Sequence, residues 1–340
     1  MRTGGPILTA FLLTAALLPG CGRKYPLPPV GNAGMPPESS YVRVEGWPEV
    51  PVAVQGVRDL FLGRDGFLYV ADAQGLRRLY TNGAPAPVTF AGLEAPVAVA
   101  QAPDFSLWVV DSALQEIHGF SLSAEPIRQF AIDRWLIARV DTVNGQPDTV
   151  WQSIVPGGLT VDDQFRLYLS CRNLDLVLVC DTAGRLLDTL AGPGSGILNV
   201  AEPRGLDYWN GAVYVASTGH NWVEALSVDT PRTNLLHLGG TSHAGDTAVG
   251  FFRQPVDVSV DTTGSVYVAD YGNARVQKFS ASGAFIVETR NPDDSTARPL
   301  SCATTPDGMT LYIAFHSDQG DWLEKYTRPV RPGGNEGGTP

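Results

Sequence analysis

Charged side chains are scarce in this sequence. Asp, Glu, Lys and Arg make up 17% of its 340 residues, against roughly a quarter in average soluble domains. Long helices with solvated charged faces are therefore not expected. Cysteine is nearly absent: there are four, and no C-x-x-C or Cys/His spacing occurs, which argues against a zinc ribbon or finger. Basic charge is also short, with 24 Lys and Arg against 35 Asp and Glu, a net of −11, and no basic run of five. An acidic surface repels phosphate backbones, so nucleic acid is not expected as a partner. G-x-S-x-G, H-E-x-x-H and a Gly-Lys phosphate loop are all missing, and with them the motif-level signs of a hydrolase elbow, a metalloprotease or a nucleotide site. No segment holds a capped, sustained 3.6-residue apolar stripe.

What is present begins at the N-terminus. Arg2 precedes a predominantly apolar stretch, residues 7–18. That is shorter than the ~20 residues a membrane span needs, and has the length of a signal-peptide core. It ends in Leu18-Pro19-Gly20-Cys21. Small residues before a cysteine at this position resemble the lipobox of bacterial lipoproteins, although Pro19 stands where Ser or Ala is commoner. The resemblance implies removal of residues 1–20 and lipid on the Cys21 sulfur, hence an extracytoplasmic protein with the membrane as a partner. Several acyl chains would make the anchoring stable. Residue 22 is Gly; by the same resemblance, this favours the outer membrane where one exists. Residues 21–40 are rich in Pro, Gly and Ser and read as a flexible tether, and 329–340 read as a disordered tail. Export implies an oxidising compartment. Cys171 and Cys180 lie on neighbouring strand-like runs, and two readings stay open for them, a cross-strand disulfide or buried free thiols.

Between tether and tail, residues 41–328 repeat. GFLYVAD (66–72), FSLWVVD (105–111), FRLYLSC (165–171), GAVYVAS (211–217), GSVYVAD (264–270) and MTLYIAF (309–315) share an aromatic: Tyr69, Trp108, Tyr168, Tyr214, Tyr267 and Tyr312. The aromatics are 39, 60, 46, 53 and 45 residues apart. Each copy is flanked by further short runs of β-branched and aromatic residues bounded by Gly, Asp, Asn or Pro. Six copies at this period predict an all-β chain of about 24 strands, a six-bladed β-propeller with one sheet per blade. Residues 252–286 resemble one NHL repeat over its whole length: Pro255-Val256, V-Y-V-A-D at 266–270, then N-x-R-V-Q-x-F at 273–279. The family pattern has Gly where this chain has Asp257. The resemblance implies an NHL-type propeller and is poor evidence for function, because the fold hosts many roles.

An isolated blade leaves its faces unburied, so the ring must close. The last copy supplies three strands, and the alternating segment 41–45 is expected to provide its missing outer strand. The long second interval holds an insertion, about 131–155, that reads as a hairpin around Asn144-Gly145.

Candidate functional residues are read from position. Arg58 and Arg204 begin first strands, which line the channel in propellers, and suit an anionic ligand; pairing with Asp59 or Asp207 is the competing reading. Asp72, Asp111 and Asp270 end second strands, either as a carboxylate ring holding a cation or as caps on turn amides. His220 and His316 follow the second strands of blades four and six and are candidates for the same mouth. No cofactor is called for; calcium or zinc is the candidate ion. Some NHL-type propellers are lyases with a histidine-bound metal, so the resemblance also implies an alternative, a metal-assisted lyase or hydrolase at the channel mouth. Without a nucleophile motif, the favoured reading is a membrane-anchored binding module for an envelope protein, peptide or glycan.

Overall fold

Runs of four to eight residues with an aromatic or β-branched residue at every other place form the strands, and Gly-, Asp- and Asn-containing turns separate them. The computed structural model describes residues 40–133, 135, 137–143, 146–240 and 247–329, with the backbone alone for 137–143 and 146–152. Residues 1–39, with the segment read as signal peptide, Cys21 and most of the segment read as tether, and also Asn144-Gly145 and the tail from 330, lie outside the described residues.

The strands form six blades, each an antiparallel sheet in chain order from the channel outward. Blade two is Pro96–Gln101, Leu107–Asp111, Glu116–Phe120 and Pro126–Ala131; blade three is Pro156–Val161, Arg166–Cys171, Leu176–Asp181 and Leu186–Ala191. Blade four runs Pro203–Trp209, Ala212–Ser217, Trp222–Ser227 and Asn234–Gly239; blade five runs Pro255–Val260, Val266–Asp270, Arg275–Phe279 and Phe285–Thr289. Blade one has three strands, Asp59–Leu62, Leu68–Asp72 and Gly75–Leu79. The run V-T-F at 88–90 reads as a fourth-strand candidate for this blade but forms no strand; a single bridge, Leu79 to Pro85, stands there. Pro85 and Pro87 lack the N–H that a ladder needs.

Blade six is Arg298–Thr304, Thr310–Ser317 and Gly320–Thr327, and its outer strand is Val42–Arg43, with Val42 opposite Thr327 and Arg43 opposite Tyr326. The two ends of the chain therefore close the ring, as the alternation at 41–45 predicts. Tyr41 fixes this closure: it is buried, its hydroxyl donates to the Gly308 carbonyl, and it lies 3.0 Å from the Tyr267 hydroxyl.

The core is divided. Six apolar clusters each fill the gap between two consecutive blades. The six repeat aromatics are buried in these wedges. Three tyrosines also tie blade to turn: Tyr69, Tyr168 and Tyr267 donate to Asp65, Asp162 and Asp261 at 2.6, 2.9 and 3.0 Å. A separate two-stranded sheet, Ile137–Val143 with Gln146–Gln152, extends from between blades two and three. The buried Trp135 before it donates its indole N–H to the Gly184 carbonyl at 3.1 Å.

The register decides between the two cysteine readings. Cys171 faces Leu176 and Cys180 faces Leu167, four residues apart along the pair, and all three described cysteines are free and buried. Burial pushes these thiols up from their ordinary range.

Because neighbouring strands alternate in direction, the entries to the first strands and the second-to-third turns share one face of the disc. The first-to-second turns share the other, and Tyr41 meets the chain on that other face, at Gly308. Chains starting at residue 40 and at residue 46 test the closure. The longer one should melt like the full chain, and the shorter should lose on the order of 3 kcal/mol, roughly 5–10 °C, with the burial of Tyr41 and the outer strand. Equal melting by calorimetry would show that the ring closes without this strand.

Candidate functional site

At the face where the first strands begin, the channel opens into a cavity of about 380 Å³. Five of the six inner strands start at or beside a Pro, and Gly157, Gly158 and Gly205 line the wall with them, so backbone forms much of it. Three arginines line it. Arg58 and Arg204 enter blades one and four, and Arg172 stands on the second-to-third turn of blade three. None of the three guanidiniums has a carboxylate or other acceptor within bonding distance among the described residues. The Nε atoms of Arg172 and Arg204 are buried without a partner. Burial, and then the neighbouring Arg172 charge, push Arg204 down from its ordinary value. Glu202 is the exposed acid on the same wall.

The pairing of Arg58 with Asp59 and of Arg204 with Asp207 does not occur, because those carboxylates are engaged elsewhere. Asp59 accepts the Leu60 amide and, across the blade gap, the Val99 amide, both at 2.8 Å. Asp207 accepts Tyr208 N–H at 2.8 Å and Val260 N–H of blade five at 2.7 Å. Asp257 accepts Val258 N–H and Cys302 N–H of blade six, both at 2.9 Å. Each carboxylate therefore joins one inner strand to the next. Ser301 lies between two of them, donating to Asp257 Oδ2 at 2.5 Å and standing 3.4 Å from Asp59 Oδ1. The Asp257 carboxyl fits because residue 205 is Gly; a Cβ there would meet Asp257 Oδ1 at 2.1 Å.

Burial pushes these acids up, Asp59 to about 6 and Asp207 to about 7, against amide hydrogen bonds that pull the other way. Asp257 is pushed well above the carboxylate range by burial and by the Asp59 charge. Asp59 and Asp257 form the floor of the arginine cavity, and Asp207 lies two residues deeper on its strand, opposite Tyr214.

The remaining sequence candidates fall elsewhere. Asp72, Asp111 and Asp270 are buried and border neither the cavity nor the groove beside it. Of the two readings open for them, a cation-holding ring and turn caps, the hydrogen bonds fit the caps. Asp111 takes four amides, from Glu94, Ala95, Ala113 and Leu114. Asp72 takes the Gln74 amide and the Arg77 guanidinium, and Asp270 takes the Arg253 amide and Arg275. His220 and His316 are not brought together. His220 is held by Ser217 at 3.0 Å with its ring 4.1 Å from Trp222. His316 pairs with Asp321 at 2.6 Å and borders a shallower groove that shares Arg58 and Tyr271 with the cavity. Among the described residues no three His, Cys, Asp or Glu side chains gather as a cation site.

Sequence reading missed Arg172, Ser301 and the acid floor, and it named Asp59 and Asp207 only as partners for the arginines. The one available signal was Asp257, the departure from the repeat pattern at a channel-facing place.

Residues 252–279 match the family model described as the NHL repeat. This chain is a six-bladed β-propeller of the NHL type. A comparison with curated proteins finds no match. Solved structures share the propeller. A catalytically inactive virginiamycin B lyase from Staphylococcus aureus with quinupristin is 13% identical, with 82% of each chain covered and a TM-score of 0.53. A gluconolactonase from Xanthomonas campestris is 14% identical over 89% of this chain and 97% of its own, with a TM-score of 0.56. A chain of a nidogen/laminin complex is 16% identical over 71% of this chain and 82% of its own, at 0.52. At these identities the likeness establishes the propeller and leaves activity to the site.

The raised acids make stability depend on pH. Between the unfolded carboxylate value of roughly 4 and the folded values of about 6 and 7, the folded chain holds more protons. This stability is complete below the unfolded value and is lost as pH rises through the folded values. Urea midpoints should therefore be higher at pH 5.5 than at pH 8, with Asp207 contributing about 2 kcal/mol of the difference. Asp207→Asn should remove that share; an unaltered pH slope would show that Asp207 titrates normally.

Proposed function

We propose that this chain is a lipid-anchored, extracytoplasmic propeller that binds an anionic group of an envelope protein, peptide or glycan at its channel mouth. The observation that carries the reading is the convergence of Arg58, Arg172 and Arg204 on one cavity with no acceptor for any of them. Arg58 is exposed, whereas Arg172 and Arg204 are half-buried with their Nε atoms unpartnered. A guanidinium partly taken from water without a partner costs free energy, and an anion placed among the three recovers it through charge-assisted hydrogen bonds. The Leu18–Cys21 segment after an apolar run of signal-peptide length supports the anchor. The tether meets the ring on the face opposite the arginines, so the mouth can turn away from the membrane toward partners. No specific observation favours the metal-assisted lyase or hydrolase, since His220 and His316 each serve their own blade.

Two measurements test this reading. Calorimetric titration with sulfate should show saturable binding, weakened about tenfold or more by each of Arg172→Ala and Arg204→Ala, because a charge-assisted hydrogen bond contributes about 1.5–3 kcal/mol. Sulfate affinity equal in both variants and the parent would place the anion elsewhere. For the anchor, cells fed labelled fatty acid should label the chain, and Cys21→Ser should abolish the label and release the protein from the membrane fraction. Retained label on the Ser variant would end the lipoprotein reading.

A further inference from the structure

The arginine cavity has a second charged layer that an anion site does not need. Its floor is made by the Asp59 and Asp257 carboxyl groups, which share the Ser301 hydroxyl. A negative floor beneath three guanidiniums opposes an anion, yet neither carboxylate neutralises an arginine, because both are turned onto amides of the inner strands. We propose that the channel mouth takes up an oxyanion together with a proton, the anion between Arg58, Arg172 and Arg204 and the proton on the Asp59–Ser301–Asp257 group. This rests on the anion reading above and assigns its regulation.

The geometry supplies the coupling. With the floor ionised, an anion entering the cavity meets like charge in a narrow channel of low dielectric. With one proton shared in the floor, that repulsion falls and the cavity is left cationic. The groups that face the floor are few. Arg58 flanks Asp59 on its own strand, Arg172 comes from the blade-three turn, and Glu202 and Arg204 come from the entry to blade four. Asp207 lies deeper, with Asp59 raising it and Arg64 lowering it from the far side. Tyr271 borders the cavity from the blade-five turn, and Cys302 gives Asp257 an amide. The inner strands of blades two and three add no titratable side chain to the wall. Burial raises the proton affinity of this floor, Asp59 to about 6 and Asp257 well above the carboxylate range. By reciprocity, whatever factor the proton adds to anion affinity, the anion adds to proton affinity.

The test uses sulfate, whose charge is constant between pH 5 and 8. Affinity measured by calorimetry on the tether-and-propeller chain should fall about tenfold or more across that range. Titrations at pH 6.5 in two buffers of different ionisation heat should show protons taken up with the anion. In the Asp59→Asn, Asp257→Asn double variant, the pH dependence and the proton uptake should both vanish. If the double variant does not fold, each single Asn variant should shift the pH midpoint of sulfate affinity, and an unshifted midpoint in both overturns the assignment to this floor. Sulfate binding that needs the arginines yet shows no pH dependence or proton uptake overturns the proton coupling and leaves the anion site standing. Uptake that persists in the double Asn variant overturns the assignment to this floor. Absence of sulfate binding at every pH overturns both this inference and the reading it rests on.

Discussion

The inner strand of each blade turns one backbone edge toward the channel, where no further strand can pair with it. Buried N–H groups without acceptors are costly, so a closed ring must satisfy this edge from side chains or water. Here Asp59, Asp207 and Asp257 do so, each holding its own next amide and an amide of the following blade. The same three bonds staple consecutive blades at the axis. That one solution shapes the stability, the channel chemistry and the candidate site together.

Engaging the acids on amides has an electrostatic consequence. The carboxylates are confined to a narrow channel, which raises their proton affinity, and they are withheld from the nearby arginines. Among the described residues, Arg58, Arg172 and Arg204 line the cavity with no carboxylate bonded to any of them. A protein of net charge −11 thus carries a locally basic mouth. Overall acidity and local recognition are separate quantities, and the local field governs a small ligand.

Closure works at the rim by the same logic applied to strands. The core consists of six wedges, and a wedge exists only when both flanking blades are in place. Val42–Arg43 completes the blade that otherwise ends the chain, and buried Tyr41 bonds to blades five and six at once. The closing strand is short, but it converts an open arc with two exposed faces into a ring with none.

Much of the fold was legible from the chain alone. A buried aromatic alternating with small apolar residues, repeated six times, specifies strands and their number, because period and burial are local properties of the sequence. The alternation at 41–45 even marked the closing strand, since a three-stranded last copy needs a partner. Blade one's missing fourth strand was also written locally, in Pro85 and Pro87. The site was legible only in part. Arg58 and Arg204 stand out by their place at strand entries, whereas Arg172 joins them from a different blade through ring geometry. Asp72, Asp111 and Asp270 recur at the end of second strands, and that recurrence already pointed to a turn cap over a ligand site. Which carboxylate faces a channel, and whether it pairs with an arginine or a neighbouring amide, depends on blades far apart in sequence meeting at one axis. The chain determined its strands by local pattern; the arginine mouth over its acid floor was decided by closure, which is a long-range event.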